Sequence, residues 1–302
     1  MVEIGPDISA PPARNTSLVA AFWMIGSIAS FSAMAIAGRE VSSGFDTFEI
    51  MMYRSAIGIL IVSALITLNG AWAQVRTQQA GTHLIRNVAH FTGQNLWFYA
   101  VTVIPLAQVF ALEFTSPLWV VVLSPLILGE RLTRVRALAA VLGFVGILIV
   151  ARPDTSTFNA GIGAAAACAV FFAVTIMFTK RLTRTETISC ILFYLTAIQL
   201  VLGLVAAGYD GVIALPTVQA LPYLVLIGCA GLLAHYCLTN ALSIAPATVV
   251  IPMDFVRLPV IAVLGMVLYQ EGLDIWVFVG AFIIFAGNYM NIWVESRRSR
   301  AQ

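Results

Sequence analysis

Four charged residues stand inside long apolar runs, where a charge needs a reason: Arg54, Glu113, Asp254 and Arg257. At the centre of a bilayer a charged side chain costs about 2.5–3.5 kcal/mol even on a lenient insertion scale, so each is a candidate for function. Asp254 and Arg257 are three residues apart and share a helical face, where they can neutralise each other. Two chemistries compete. In one, the pair is structural, and Glu113 finds Arg54 or another partner. In the other, Glu113 or Asp254 holds an amine or carries a proton, and Arg257 grips a carboxylate. Arg54, near one end of its run, is expected to snorkel to the interface.

Hydrogen-bonding side chains recur at helical spacing nearby. Asn87, His90 and Gln94 form one stripe; His235/Thr239 and Tyr236/Asn240 form two i, i+4 pairs further on. Helices surrounded by lipid would not be furnished this way, so these faces are expected to look inward. Trp23, Trp97, Phe98, Tyr99 and Trp119 could stack on a flat or cationic ligand.

The elements that position these residues follow from composition. Of 302 residues, 60% are hydrophobic and 10% charged, against about 25% charged in a soluble domain. Runs of about twenty apolar residues are each long enough to cross a bilayer. Ten helical spans are predicted, near 17–37, 47–68, 85–103, 106–128, 133–151, 160–180, 187–207, 217–241, 246–269 and 274–294. The expected fold class is an all-α membrane protein. Transmembrane β-barrel strands are too short to account for such runs.

Charge asymmetry sets the expected orientation. Loops and span ends on the N-terminal side carry twelve basic residues, including Arg76, Arg86, Arg131, Arg134, Lys180 and Arg184; the opposite side carries Arg39 and Arg152. By the positive-inside rule both termini are expected in the cytoplasm, with the chain in the inner (plasma) membrane. Ala35-Ile36-Ala37 resembles a signal-cleavage site, but the preceding segment holds Glu3 and Asp7 with a single Arg, which disfavours that reading. Cys168, Cys190, Cys229 and Cys237 all fall in predicted spans without metal-ligand spacing and read as packing residues. No phosphate loop, His-Glu-x-x-His motif or nucleophile elbow is present, so neither an enzyme, a cofactor, a metal nor nucleic-acid binding is expected.

The middle of the chain repeats. Shifted by 141 residues, Ala100–Gly146 falls on Ala241–Gly287 with 11 of 47 positions identical, among them Pro105/Pro246, Phe114/Phe255 and Glu130/Glu271. Roughly one match in ten is expected from composition. Glu113 falls on Asp254, and Gln94 on His235. Five spans per copy, an odd number, predicts two inverted halves related by a two-fold axis in the membrane plane. The expected divisions are a tail at 1–16, repeats at 17–151 and 152–294, and a tail at 295–302. Pro117 and Pro125 in the fourth span answer Pro252 and Pro259 in the ninth, and interrupted helices in matching positions point to a substrate site. Gly143, Gly146, Gly280 and Gly287 are expected at helix contacts.

Tyr53-Arg54-Ser55, Pro117 followed by Leu128-Gly129-Glu130-Arg131, Gly143-Phe144-Val145-Gly146-Ile147 and the degenerate Tyr269-Gln270-Glu271 resemble the drug/metabolite transporter superfamily, its EamA-type members above all. The resemblance implies a secondary carrier working by alternating access, with its cavity between the halves. It matches Glu130 and Glu271 to the family's recurring acids, expected here to cap the next helix or pair across the loop. The expected cargo is a small zwitterionic or cationic metabolite, an amino acid or derivative. Gln94, Trp97, Glu113, Tyr236, Asn240, Asp254 and Arg257 are the expected binding residues, with a coupled proton as second cargo and membrane lipid as surroundings. A flat vitamin- or nucleoside-like solute is the alternative cargo. An intramembrane enzyme or sensor using His90 and His235 is the alternative outside transport.

Overall fold

The computed structural model describes residues 14–127, 134–151, 159–182, 185–244 and 253–299. Among these the chain is all helical, with no strand. The first half runs α1 (Arg14–Val41), α2 (Thr47–Leu68), a 3-10 turn (Trp72–Val75), α3 (Ala80–Val103), α4 (Leu106–Glu113), α5 (Ser116–Ile127) and α6 (Arg134–Ala151). The second runs α7 (Ala160–Leu182), α8 (Ile188–Ala207), α9 (Leu221–Ile244), α10 (Arg257–Tyr269) and α11 (Ile275–Ser299). Five of them, α1, α2, α7, α8 and α9, contain stretches long and apolar enough to cross a membrane on their own. Shorter apolar stretches occupy Leu106–Val120, Ala140–Val150, Arg257–Tyr269 and Ile275–Gly287. α11 runs on to Ser299, into the segment expected to be a tail.

Local chemistry fixes several ends. α2 starts with a capping box: the Asp46 carboxylate accepts the Glu49 N–H at 2.8 Å, and the Glu49 carboxylate accepts the Asp46 N–H at 3.0 Å. Two amides that lipid could not satisfy are thereby paired. Glu49 also accepts the Ala214 N–H at 2.6 Å, tying α2 to the segment before α9.

The fourth and ninth spans are interrupted, and at mated positions. The helix breaks at residues 114–115 between α4 and α5. In the second copy helical backbone at 253–254 breaks at 255–256 before α10. Adding 141 to 114–115 gives 255–256. Pro117 and Pro259 explain the location, since proline has no N–H for the carbonyl four residues back, here Glu113 and Phe255. Those carbonyls are taken up locally. Ser116 Oγ donates to the Glu113 carbonyl at 2.6 Å, and the Leu258 N–H to that of Phe255 at 3.1 Å. Pro246 and Pro252 lie outside the described residues, as does Glu130.

Helix contacts obey the two-fold expected of inverted repeats. The extensive pairs are α1 with α9, α3 with α7, α2 with α8, and α6 with α11. Exchanging each helix for its repeat mate turns α1·α9 into α7·α3 and maps α2·α8 and α6·α11 onto themselves. The α6–α11 crossing runs through Gly146 and Gly280: a Cβ on either would lie 2.8 Å from the other's carbonyl oxygen. Only glycine permits that approach.

The C-terminal end of α1 is bolted down. Arg39 forms an ion pair with Glu271, and donates from Nε to the Val101 carbonyl and from Nη2 to the Ile104 carbonyl, both at 2.5 Å. The other oxygen of Glu271 accepts the Leu106 N–H at 3.0 Å, the first amide of α4. Glu271 therefore does cap a helix, but one from the opposite repeat and not the next along the chain. The Arg39 guanidinium also lies 4.8 Å from the Tyr269 ring centre.

Candidate functional site

The two breaks bring Glu113, at the end of α4, and Asp254, its repeat mate, to one guanidinium. Arg257 Nη2, in the first turn of α10, donates to Glu113 Oε1 at 3.1 Å and to Asp254 Oδ2 at 2.8 Å. Side-chain exposure is 4% for Arg257, 14% for Glu113 and 24% for Asp254, so the acids, not the base, face what open space there is. Glu113 is also held from α3, whose Trp97 Nε1 donates to its Oε2 at 2.8 Å.

Phenylalanines complete the enclosure. The Arg257 guanidinium carbon lies 4.8 Å from the Phe31 ring centre, 4.9 Å from Phe110 and 5.1 Å from Phe114. Each ring face attracts a cation, which offsets part of the cost of burying it. Phe114 and Phe255, identical repeat mates, touch with centroids 4.8 Å apart. Equivalent residues of two inverted copies can meet only at the axis relating them, so the ion cluster lies beside the molecular two-fold. Two carboxyl groups face one guanidinium. Asp254 Oδ1 and Arg257 Nε are buried without a hydrogen-bond partner.

Of the seven residues chosen from the sequence, Trp97, Glu113, Asp254 and Arg257 form this cluster. Gln94 is buried on α3, three residues before Trp97. Tyr236 and Asn240 lie outside it: Tyr236 is 44% exposed with its ring edge-on to Trp23 at 5.8 Å, and Asn240 Nδ2 donates to the Tyr236 carbonyl at 2.8 Å. Tyr99 is exposed and Phe98 packs beneath Trp97. Phe31, Phe110, Phe114 and Phe255 were not singled out as ligand-facing, although the exact Phe114/Phe255 repeat identity could have marked that pair.

Arg54 does not snorkel. It is 94% buried by its 6% exposure, and its nearest polar partner is Gln199, with Nη1 to Oε1 at 3.5 Å. Nor does it pair with Glu113, whose partner is Arg257. A narrow cavity beside it is lined by Ser55, Thr196, Gln199 and His235. His235 in turn stands edge-on to His90 at 5.4 Å and to Phe31 at 5.5 Å, linking this polar patch to the ion cluster through ring contacts. Neither nitrogen of His90 has a hydrogen-bond partner.

An all-helical chain with paired broken helices around a polar cluster on its own pseudo-axis is built as a membrane carrier. Residues 18–152 and 159–293 each match the EamA-like transporter family, and the chain belongs to that family. It is a multi-pass membrane protein and a small-metabolite transporter. The chain is 29% identical to a riboflavin transporter of Brucella anthropi, over 92% of this chain and 99% of that one. It is 25% identical to an S-adenosylmethionine uptake transporter of Rickettsia felis, over 94% and 96%. A pseudopaline exporter of Pseudomonas aeruginosa is 28% identical over 84% of this chain and 89% of its own. A solved crystal structure, 20% identical, superposes with a TM-score of 0.62 over 92% of this chain and 98% of that one.

Proposed function

We propose that this chain carries a flat heteroaromatic metabolite of vitamin or nucleoside type across the inner membrane by alternating access, both termini being cytoplasmic. The observation that carries the proposal is the engagement of Arg257 by two carboxylates beneath three phenylalanine rings. A guanidinium so committed is a poor clamp for an amino acid's carboxylate, which was the cargo first expected. What surrounds the acids instead is aromatic: Trp97, bonded to Glu113, and the Phe110 and Phe114 rings are buried behind them, and Phe31 and Phe255 are only partly buried. Flat π-systems stack on such rings. The riboflavin transporter relative supports this class of cargo.

A second reading rests on the surplus acid. Two carboxylates against one guanidinium suit a cationic amino-acid derivative bearing a heterocycle, the chemistry named by the S-adenosylmethionine relative. The same acid could exchange a coupled proton. In either case α3, the α4–α5 pair, α9 and α10 are the helices that would move about the site.

Thermal unfolding of the purified protein with riboflavin, adenosine, S-adenosylmethionine and free amino acids separates these readings. A ligand of the native state stabilises it by about 2.7 kcal/mol at one hundred times its dissociation constant. Stabilisation by riboflavin or adenosine that survives Glu113→Gln supports the flat-solute reading. Stabilisation by S-adenosylmethionine alone, lost in Glu113→Gln, supports the second. Stabilisation by free amino acids alone would overturn both.

A further inference from the structure

A second cluster of chemically capable side chains lies away from the ion cluster, where the start of α3 meets the start of α8. His83, Glu186 and Cys190 offer one nitrogen, one carboxylate oxygen and one sulfur, all within 4.8 Å of one another. His83 is fully buried, and neither of its ring nitrogens has a hydrogen-bond partner. A buried imidazole left wholly unsatisfied is rare and asks for a missing water or ion. Cys190 is buried, with its Sγ 3.2 Å from Glu186 Oε2.

We propose that His83, Glu186 and Cys190 form a site for a transition-metal dication of the zinc type. Imidazole, thiolate and carboxylate together are the donor set of a borderline-soft ion and would bind magnesium or calcium poorly. Bond lengths of about 2.0–2.3 Å to a tetrahedral ion put its donors about 3.3–3.8 Å apart, so closure from the present spacing takes about an ångström. Two anionic ligands would neutralise the dication. The fourth position is left for water.

The surroundings are those of a supported site. Thr77 Oγ1 donates to Glu186 Oε1 at 2.7 Å, which orients the carboxylate and leaves its other oxygen toward Cys190. Such outer contacts commonly hold metal ligands in place. The His83 ring is braced against Tyr194 at 4.7 Å. Arg86, the nearby cation, is turned to Thr179 and Asn87, with Nε to Thr179 Oγ1 at 2.9 Å. The ligands come from α3 and from α8 with the turn before it, in different repeats, so the spacing of cysteines along the chain does not reveal them.

Occupancy would tie α3 to α8. On the carrier reading, and resting on it, metal would slow transport by restraining a moving helix. Binding itself does not depend on that reading.

The test uses the full-length protein in detergent with cobalt(II) and zinc(II) as probes. Cobalt is expected to give a thiolate-to-metal charge-transfer band, displaced by zinc, at one ion per chain. The band should vanish in Cys190→Ser, and affinity should fall at least tenfold in both His83→Asn and Glu186→Gln. A band that persists in Cys190→Ser, or affinity unchanged in His83→Asn and Glu186→Gln, overturns the assignment, as does the absence of stoichiometric metal in the parent. Unfolding temperatures measured without metal identify any variant that is merely misfolded; the conclusion is then drawn from the remaining two. Zinc inhibition of transport in the parent but not in His83→Asn would test the restraint. Binding without inhibition would refute the restraint alone.

Discussion

Arg257 is the residue on which the ion cluster depends, and its removal should be felt more than removal of either acid. Without it Glu113 and Asp254 face each other's charge in a site that excludes most water. Breaking a buried ion pair from one side costs about 3–5 kcal/mol, because the partner is left uncompensated. Arg257→Ala is therefore expected to lower the thermal stability of the purified protein markedly. Arg257→Ala with Asp254→Asn should recover part of that loss, whereas equal losses in the single and double variants would show that the acids do not interact through Arg257. Glu113→Gln keeps the Asp254–Arg257 pair and should fold well. At this scale the acids and the arginine were legible in the sequence, because charge in an apolar run is conspicuous. The phenylalanine cage was not, since one more phenylalanine in a run that is already apolar carries no such contrast. Tyr236 and Asn240 lie outside the ion cluster, because i, i+4 spacing identifies a shared face but not which way that face turns.

On the proposed alternating access, the broken helices would tie those residues to movement. Glu113 ends α4 and Arg257 begins α10, so any change in angle across residues 114–115 or 255–256 moves a member of the cluster. Pro117→Ala and Pro259→Ala would return an N–H to the Glu113 and Phe255 carbonyls and favour continuous helices. Combined, they are expected to leave ligand binding within a few fold while lowering the maximal rate in proteoliposomes by ten-fold or more. Loss of binding with an unchanged maximal rate would mean the breaks only shape the pocket. Proline positions showed in advance that these spans would be interrupted at matching depth. The place of each break, directly after the acid, was set as well by Ser116 and Leu258 taking up the freed carbonyls. Hydropathy gave α2 its bounds to the residue, yet a span count could not show that α11 continues to Ser299.

For the molecule as a whole, the sequence repeat proved the most informative pattern, because it constrains packing as well as content: the contacts of α1 with α9 and α3 with α7 are one contact made twice. Orientation in the membrane is checked with exposed loop positions. Ser43→Cys is expected to react with a membrane-impermeant maleimide in intact cells, and Gln78→Cys only after permeabilisation; the reverse pattern would invert the assigned topology. Charge also follows the repeat at the bolted end of α1. The mates of Arg39 and Glu271 are Lys180 and Glu130, a cation and an acid again. On the proposed alternating access, this symmetry of sequence would give the two faces the same pair of charge signs to close with. A carrier that trades one such closure for its equivalent moves between wells of similar depth. Neither face would then be a thermodynamic sink, and a few kcal/mol of differential ligand affinity would suffice to choose the direction it faces.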